Sequence, residues 1–160
     1  MAFKIKGISP EDREEVLKIL VKFWGDHTIV SHGKIFYPVE MEGLKAVDPD
    51  RIVGILHFQI QYDHCEIFTL ASLDERKGIG DALLEAVEVI ARNRSCQKLC
   101  LSTTNDNLNA LGFYQRRGFQ LAALSLDQIK VHRKLKPAIP DIGENGIPIR
   151  DEIHLEKMLA

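Results

Sequence analysis

The chain of 160 residues has no long apolar run, little net charge and few cysteines. No stretch approaches the roughly 18 consecutive apolar residues that a membrane-crossing helix needs, so no membrane partner is expected. The opening residues Met-Ala-Phe-Lys-Ile-Lys hold neither an apolar targeting segment nor a small-residue cleavage pattern. A soluble, cytoplasmic protein is the expectation. The formal net charge is −2. Without a basic face to hold phosphate backbones, nucleic acid is not an expected partner. Three cysteines, Cys65, Cys96 and Cys100, make an odd count in no zinc-binding spacing. They read as free thiols of a reducing compartment, with Cys96 and Cys100 as small buried apolar side chains. His27, His32, His57, His64, His132 and His154 likewise follow no ligand spacing, and no metal is expected.

What is present is an ordinary globular balance of 45% hydrophobic and 28% charged residues. The length fits one compact domain, 1–160, able to bury a core without disulfides. Phe3 to Ile8 alternates as a strand does. Ser9-Pro10-Glu11-Asp12 then announces a helix whose apolar side is Val16, Leu17, Leu20 and Trp24, ending at Gly25. Asp26 to Met41 is polar and reads as a loop with a short helix. Leu44 to Val47, Arg51 to Gln61 and Cys65 to Ser72 read as an antiparallel meander. Gly78 to Arg92 is an amphipathic helix, Lys98 to Ser102 a strand, and Asn107 to Arg117 a shorter helix with Gly118 placed to cap it. Phe119 to Leu124 and Glu152 to Met158 read as strands. Between them Ser125 to Pro148 breaks the rhythm, with Asp127 to Lys134 a helical turn or a strand. The pattern is that of an α/β (α+β) domain.

The informative junction is Asp74-Glu75-Arg76-Lys77-Gly78-Ile79-Gly80, which leads from a strand into the strongest helix. A helix start presents unpaired N–H groups and a positive partial charge. Two glycines let a bulky anion approach those groups, and Arg76 and Lys77 add charge at the rim. Such a site suits a diphosphate. A dinucleotide fingerprint would need a third glycine where Leu83 stands, and the Gly-Lys-Ser/Thr ending of a nucleoside-triphosphate loop is absent. A plain tight turn with surface basic residues remains the other reading of this junction alone.

A second motif adds to it. Asn107, Ala110, Tyr114, Gly118 and Phe119 resemble the second signature of the GNAT acetyltransferase superfamily. Gly78 and Gly80 resemble its first, Arg/Gln-x-x-Gly-x-Gly/Ala. The family's Arg/Gln position falls on Glu75, so Arg76, one place later, is expected to supply the charge. The order of elements is similar from Phe3 to Leu159, while Ser125 to Pro148 exceeds the family's usual hairpin.

The resemblance implies a GNAT-like fold: a mixed, mostly antiparallel bent sheet of about seven strands flanked by helices. It implies acetyl-CoA as co-substrate, held by Leu70, Ala71, Ser72, Arg76, Lys77, Gly78, Ile79, Gly80, Asp81, Asn107 and Tyr114. It implies transfer of the acetyl group to an amine, on a small molecule or on a protein lysine. Homodimers are common among similar proteins.

Aminolysis of a thioester needs a neutral amine, a stabilised oxyanion and a proton for the leaving sulfur. Tyr114 is the candidate donor, against the alternative of a core aromatic. Glu66 is the candidate base, against a solvent-facing strand glutamate; it shares a strand face with Phe68 and Leu70. Backbone N–H groups near Leu70 or Ala71 would hold the oxyanion. Asn107 reads both as cofactor contact and as helix cap. Gly112 inside a helix hints at close packing. His27 and His32 lie where the family's acceptor loops sit. Arg133, within the basic run Lys130 to Lys136, and Arg150 are further acceptor-side candidates.

Overall fold

The computed structural model describes residues 3–74 and 78–159. Seven strands form one mixed sheet, ordered β1 (Lys4–Gly7), β4 (Glu42–Val47), β5 (Ile52–Gln61), β6 (His64–Ser72), β7 (Lys98–Thr104), β9 (Glu152–Met158) and β8 (Gln120–Ser125). A separate two-stranded sheet pairs β2 (Ile29–Ser31) with β3 (Lys34–Phe36). Among the described residues there are four α-helices: α1 (Arg13–Trp24), α2 (Ile79–Asn93), α3 (Leu108–Arg116) and α4 (Gln128–Leu135). None of these helices is long and apolar enough to cross a membrane.

The chain divides into two compact units. The first comprises Met1–Ile29, Tyr37–Leu99 and Leu159. It is an antiparallel meander, β1-β4-β5-β6, with α1 and α2 packed on it. Seven consecutive residues of β5, Ile52 to Phe58, are buried, as expected of a strand covered on both faces. In β6 burial alternates instead: Cys65, Ile67, Thr69 and Ala71 are buried, and the residues between them are half-buried. From α1, Val16, Ile19 and Leu20 join Ile52, Ile55 and Ala71 in one apolar cluster.

Local chemistry sets the helix ends of this unit. The Ser9 N–H donates to the Asp12 carboxylate at 2.8 Å, and Lys45 reaches the same carboxylate at 2.7 Å. Burial alone would raise the Asp12 pKa, but the bonds from Lys45 and Ser9 outweigh it and hold the carboxyl below its usual range. Gly25 closes α1 at φ 83°, its N–H donating to the Val21 carbonyl.

The second unit comprises Val30–Phe36 and Cys100–Met158. It holds most of β7, then α3, β8, α4 and β9, with β8 and β9 antiparallel. Residues 26–41, expected to be a loop with a short helix, do hold a short 3-10 helix at Pro38–Glu40 but also contain the β2–β3 hairpin, which was not expected. The hairpin turn is His32-Gly33, with φ of 53° and 74°. Positive φ at both positions is the mirror-image turn that matches strand twist, and glycine at the second supplies it readily. Ile29-Val30 and Ile35-Phe36 flanking Ser-His-Gly-Lys were the available signal.

The irregular stretch 125–150 begins with a true helix, α4, and continues as a loop stitched by polar bonds. Arg133 donates to the carbonyls of Ile139, Pro140 and Ile149. Asp106 is buried; its carboxylate accepts from the Glu144 N–H at 3.0 Å and from the Thr104 hydroxyl at 2.5 Å. Gly143 lies against that carboxylate so closely that a Cβ would stand 2.1 Å from Asp106 Oδ2.

Candidate active site

The start of α2 has the features of an anion cradle. Its cap residue, Gly78, takes the left-handed conformation, φ 72° and ψ 21°, and as a glycine offers no side chain to cap the helix. The amides of Ile79, Gly80 and Asp81 open the helix after a cap residue that has no side chain of its own to offer them. Ile79 is buried, and Gly54 of β5 makes room for it: a Cβ on Gly54 would meet Ile79 Cγ2 at 2.4 Å. That close approach fixes the first turn of α2 over β5. Glu75, Arg76 and Lys77 lie outside the described residues, so the charge expected at the rim does too.

The strand leading to the cradle carries a bulge. His57 faces Thr69 and Phe58 faces Ile67, so Phe68 is the extra residue of β6. The His57 N–H donates to Thr69 Oγ1 at 2.8 Å, and the same hydroxyl oxygen lies 2.8 Å from His57 Nδ1. One side chain thus serves both a ladder amide and the imidazole. Burial drives the His57 pKa down to about 4, so the ring is neutral. Beyond the bulge Leu70, Ala71 and Ser72 pair with Leu56, Ile55 and Gly54. Ala71 is buried, whereas Leu70 and Ser72 are half-buried. The Ser72 hydroxyl donates to the Asp74 carbonyl at 3.0 Å. Glu66 stands on the half-buried side of the strand with Phe68 and Leu70, as its spacing predicts.

Tyr114 is held by the way α3 ends. The Phe119 N–H donates to the Tyr114 carbonyl at 3.1 Å, and the Gly118 N–H donates to the Gln115 carbonyl at 3.2 Å. Gly118 has φ 95°. This is a Schellman motif, and its usual apolar contact is the edge-on packing of Tyr114 against Phe119, ring centroids 5.3 Å apart. The Tyr-x-x-x-Gly-Phe spacing thus has a mechanical reason: it ends a helix and clamps the tyrosine ring. Phe113 packs on Tyr114 edge-to-face at 5.2 Å, and the Arg117 guanidinium stacks over Phe113 at 3.6 Å. Tyr114 is buried, and burial pushes its phenol above the usual value, so it stays protonated.

Asn107 is the α3 cap: its Oδ1 accepts from the Ala110 N–H at 3.2 Å, and its Nδ2 reaches Thr103 Oγ1 at 3.3 Å. A Cβ on Gly112 would meet only the movable end of Arg116, at 2.8 Å. Among the described residues its freedom is therefore not a matter of backbone packing.

The acceptor-side candidates separate. His27 is exposed beside Tyr37, ring centroids 6.1 Å apart. Arg133 is engaged with loop carbonyls as described. Arg150 is exposed and pairs with Asp151, whose carboxyl is held below its usual range chiefly by that bond.

His32, in contrast, joins a cluster whose spacing along the chain hid it. Its ring stacks on His154 at 5.2 Å, with 8° between the planes. Buried Glu152 accepts from the Ser31 hydroxyl at 3.0 Å and from the His32 N–H at 3.2 Å. His154 lies 3.8 Å from the same carboxylate. Next to them buried His132 accepts from the Gly33 N–H through Nε2 at 3.1 Å. Burial and neighbouring His32 push the His132 imidazole below its usual range, against the pull of Glu152.

Comparison with known proteins gives a consistent result. Residues 10–119 match the family model described as the acetyltransferase (GNAT) family. Two proteins of Bacillus subtilis (strain 168) with uncharacterised roles, YdhI and YxbD, are 45% and 43% identical over 139 residues. Each match covers 86% of this chain and 87% of the relative. An IAA acetyltransferase from Bacillus cereus ATCC 14579 has a TM-score of 0.71 at 22% identity, covering 98% of this chain and 99% of that one. A GNAT family acetyltransferase from Elizabethkingia anophelis, solved with acetyl-CoA bound, has a TM-score of 0.69 at 23% identity, covering 98% of both chains. At such identities the likeness to these two structures is one of fold.

Proposed function

Because this chain belongs to the GNAT acetyltransferase family, we propose that it transfers an acetyl group from acetyl-CoA to a primary amine by direct attack in a ternary complex. The observation that carries this reading is the opening of α2. Its first amides follow a left-handed glycine, which has no side chain to cap them. They are the part of the chain best suited to hold the cofactor's diphosphate, with Arg76 and Lys77 adding charge. The amides of Ile79, Gly80 and Asp81 bind the diphosphate; Leu70, Ala71 and Ser72 line the pantetheine arm through their backbone. The bulge at Phe68 supports this role, since bulges redirect the local backbone beside sites.

Tyr114 supplies the proton to the departing thiolate. A phenol with a raised pKa is a weak acid in bulk terms, so its value is a fixed donor aimed at charge as it develops. The Schellman clamp supports this by fixing the ring. Glu66 accepts the proton of the attacking amine, directly or through water. That proton must leave, because a lysine-type amine of pKa ~10.4 is mostly protonated at neutral pH. Asn107 contributes by setting where α3 begins, beside any contact with the cofactor.

The test is release of free thiol from acetyl-CoA with a panel of small amines and lysine peptides, comparing wild type with Tyr114→Phe. At least one amine gives turnover in wild type, and Tyr114→Phe lowers kcat by about 10²-fold or more while acetyl-CoA affinity holds. Tight acetyl-CoA binding with no thiol release from any amine would replace this reading with that of a non-catalytic acyl-CoA sensor.

A further inference from the structure

We propose that His32, Glu152 and His154 form a divalent metal site suited to Zn2+, with one coordination position left open. One ligand atom from each residue lies within 4.8 Å of the others. Two imidazole nitrogens and one carboxylate oxygen are a donor set that zinc favours. Glu152 and His154 are two apart on β9 and so share a strand face. His32 comes from the β2–β3 turn, some 120 residues away, which is why no spacing rule finds the site.

Three observations support a cation here. Glu152 is only 3% exposed, and among the described residues the groups that hold it are a serine hydroxyl, a backbone N–H and an imidazole, none with a fixed positive charge. A carboxylate at that depth is costly without a cation beside it. His154 has an outer partner of the kind metal-binding histidines use: Nδ1 lies 2.7 Å from Ser102 Oγ. In the tautomer whose Nδ1–H donates to Ser102, the lone pair sits on Nε2, the nitrogen 3.8 Å from Glu152 Oε1. Ser125 Oγ lies 2.8 Å from Nε2, and its hydroxyl is the rotatable group that the ion displaces. The third support is the placement of His32. The Gly33 N–H is taken by His132, which pins the turn and keeps the His32 ring stacked on His154.

Zinc–nitrogen bonds of about 2.0–2.1 Å put neighbouring ligand atoms roughly 3.4 Å apart. Closing from 4.8 Å therefore needs a small shift, which exposed His32 can make. The ion would tie the hairpin turn to β9, and the exposed side of His32 leaves its fourth position to water or a small ligand.

The experiment uses chelator-treated full-length protein titrated with Zn2+ in a calorimeter, and with Co2+ followed by visible absorption. Wild type should bind one Zn2+ and give the visible bands of a low-symmetry Co2+ site. His32→Asn keeps a residue tolerant of the left-handed turn, and with His154→Asn it should weaken Zn2+ binding by at least about 100-fold. Ser102→Ala, which removes only the outer partner, should cost about 10–100-fold. Far-ultraviolet circular dichroism and the melting temperature confirm that each variant folds. Wild type that binds no Zn2+, or binding unchanged in both histidine variants, overturns the proposal.

Discussion

The two units are held together by different chemistry. Among the described residues, buried polar side chains concentrate in the second: Ser31, Asp106, His132, Asp151 and Glu152 lie there, and His57 and Thr69 in the first. The first unit is organised by apolar periodicity, with α1, β5 and β6 sharing a dry cluster. The second is organised by specific bonds from Asp106, Arg133 and Glu152 to backbone and hydroxyl groups far away in sequence. Apolar burial is non-directional and tolerates variation in detail. A buried polar network loses much of its worth when one member goes.

The largest expected break of this comparison is Leu83→Ala. Leu83 is fully buried on α2. The truncation should cost about 2–5 kcal/mol by chemical denaturation, from lost burial and the cavity left behind. A cost under about 1 kcal/mol would mean that the first unit is not governed by its apolar core.

Next in size is a pH effect in the same unit. The His57 pKa falls from 6.5 to about 4 on folding. Above pH 6.5 both states leave the ring neutral. Between pH 6.5 and about 4 the unfolded chain takes up a proton that the folded chain refuses, so stability falls as the pH falls through that window. The total should approach about 3 kcal/mol. Urea unfolding at several pH values measures it, and His57→Asn should flatten much of the slope. The remainder includes His132, whose imidazole is also held low.

The smallest effect sharpens the contrast. Asp106→Ala strips acceptors from the Glu144 N–H and the Thr104 hydroxyl and should cost about 1–3 kcal/mol. Its signature is location. Amide hydrogen exchange should rise across residues 141–149 while β5 and β6 stay protected. Equal loosening of β5 would contradict the division of labour.

Much of this was legible in the sequence, for the same physical reason that divides the units. Periods of two and of 3.6 announced β4, β5, β6 and α2, and Ser9-Pro10 and Gly25 marked the ends of the first helical segment. Gly118-Phe119 marked the end of α3, and the resemblance it belonged to led to the family. The β2–β3 hairpin was missed because its strands are three residues each, too short for a period to register. The burial of Asp106 and Glu152 is not written in the local sequence, since burial of a carboxylate depends on distant partners. The His32, Glu152 and His154 grouping was invisible for that reason too: its members meet only once the hairpin and β9 have formed.

The central claim is that the first amides of α2 hold the diphosphate of acetyl-CoA, and amide NMR of the labelled protein tests it most directly. Titration with acetyl-CoA should shift Ile79, Gly80 and Asp81 strongly, and acetyl-pantetheine, which lacks the diphosphate, should leave them nearly still. Saturation with acetyl-CoA that moves other amides but leaves these three unchanged would contradict the account.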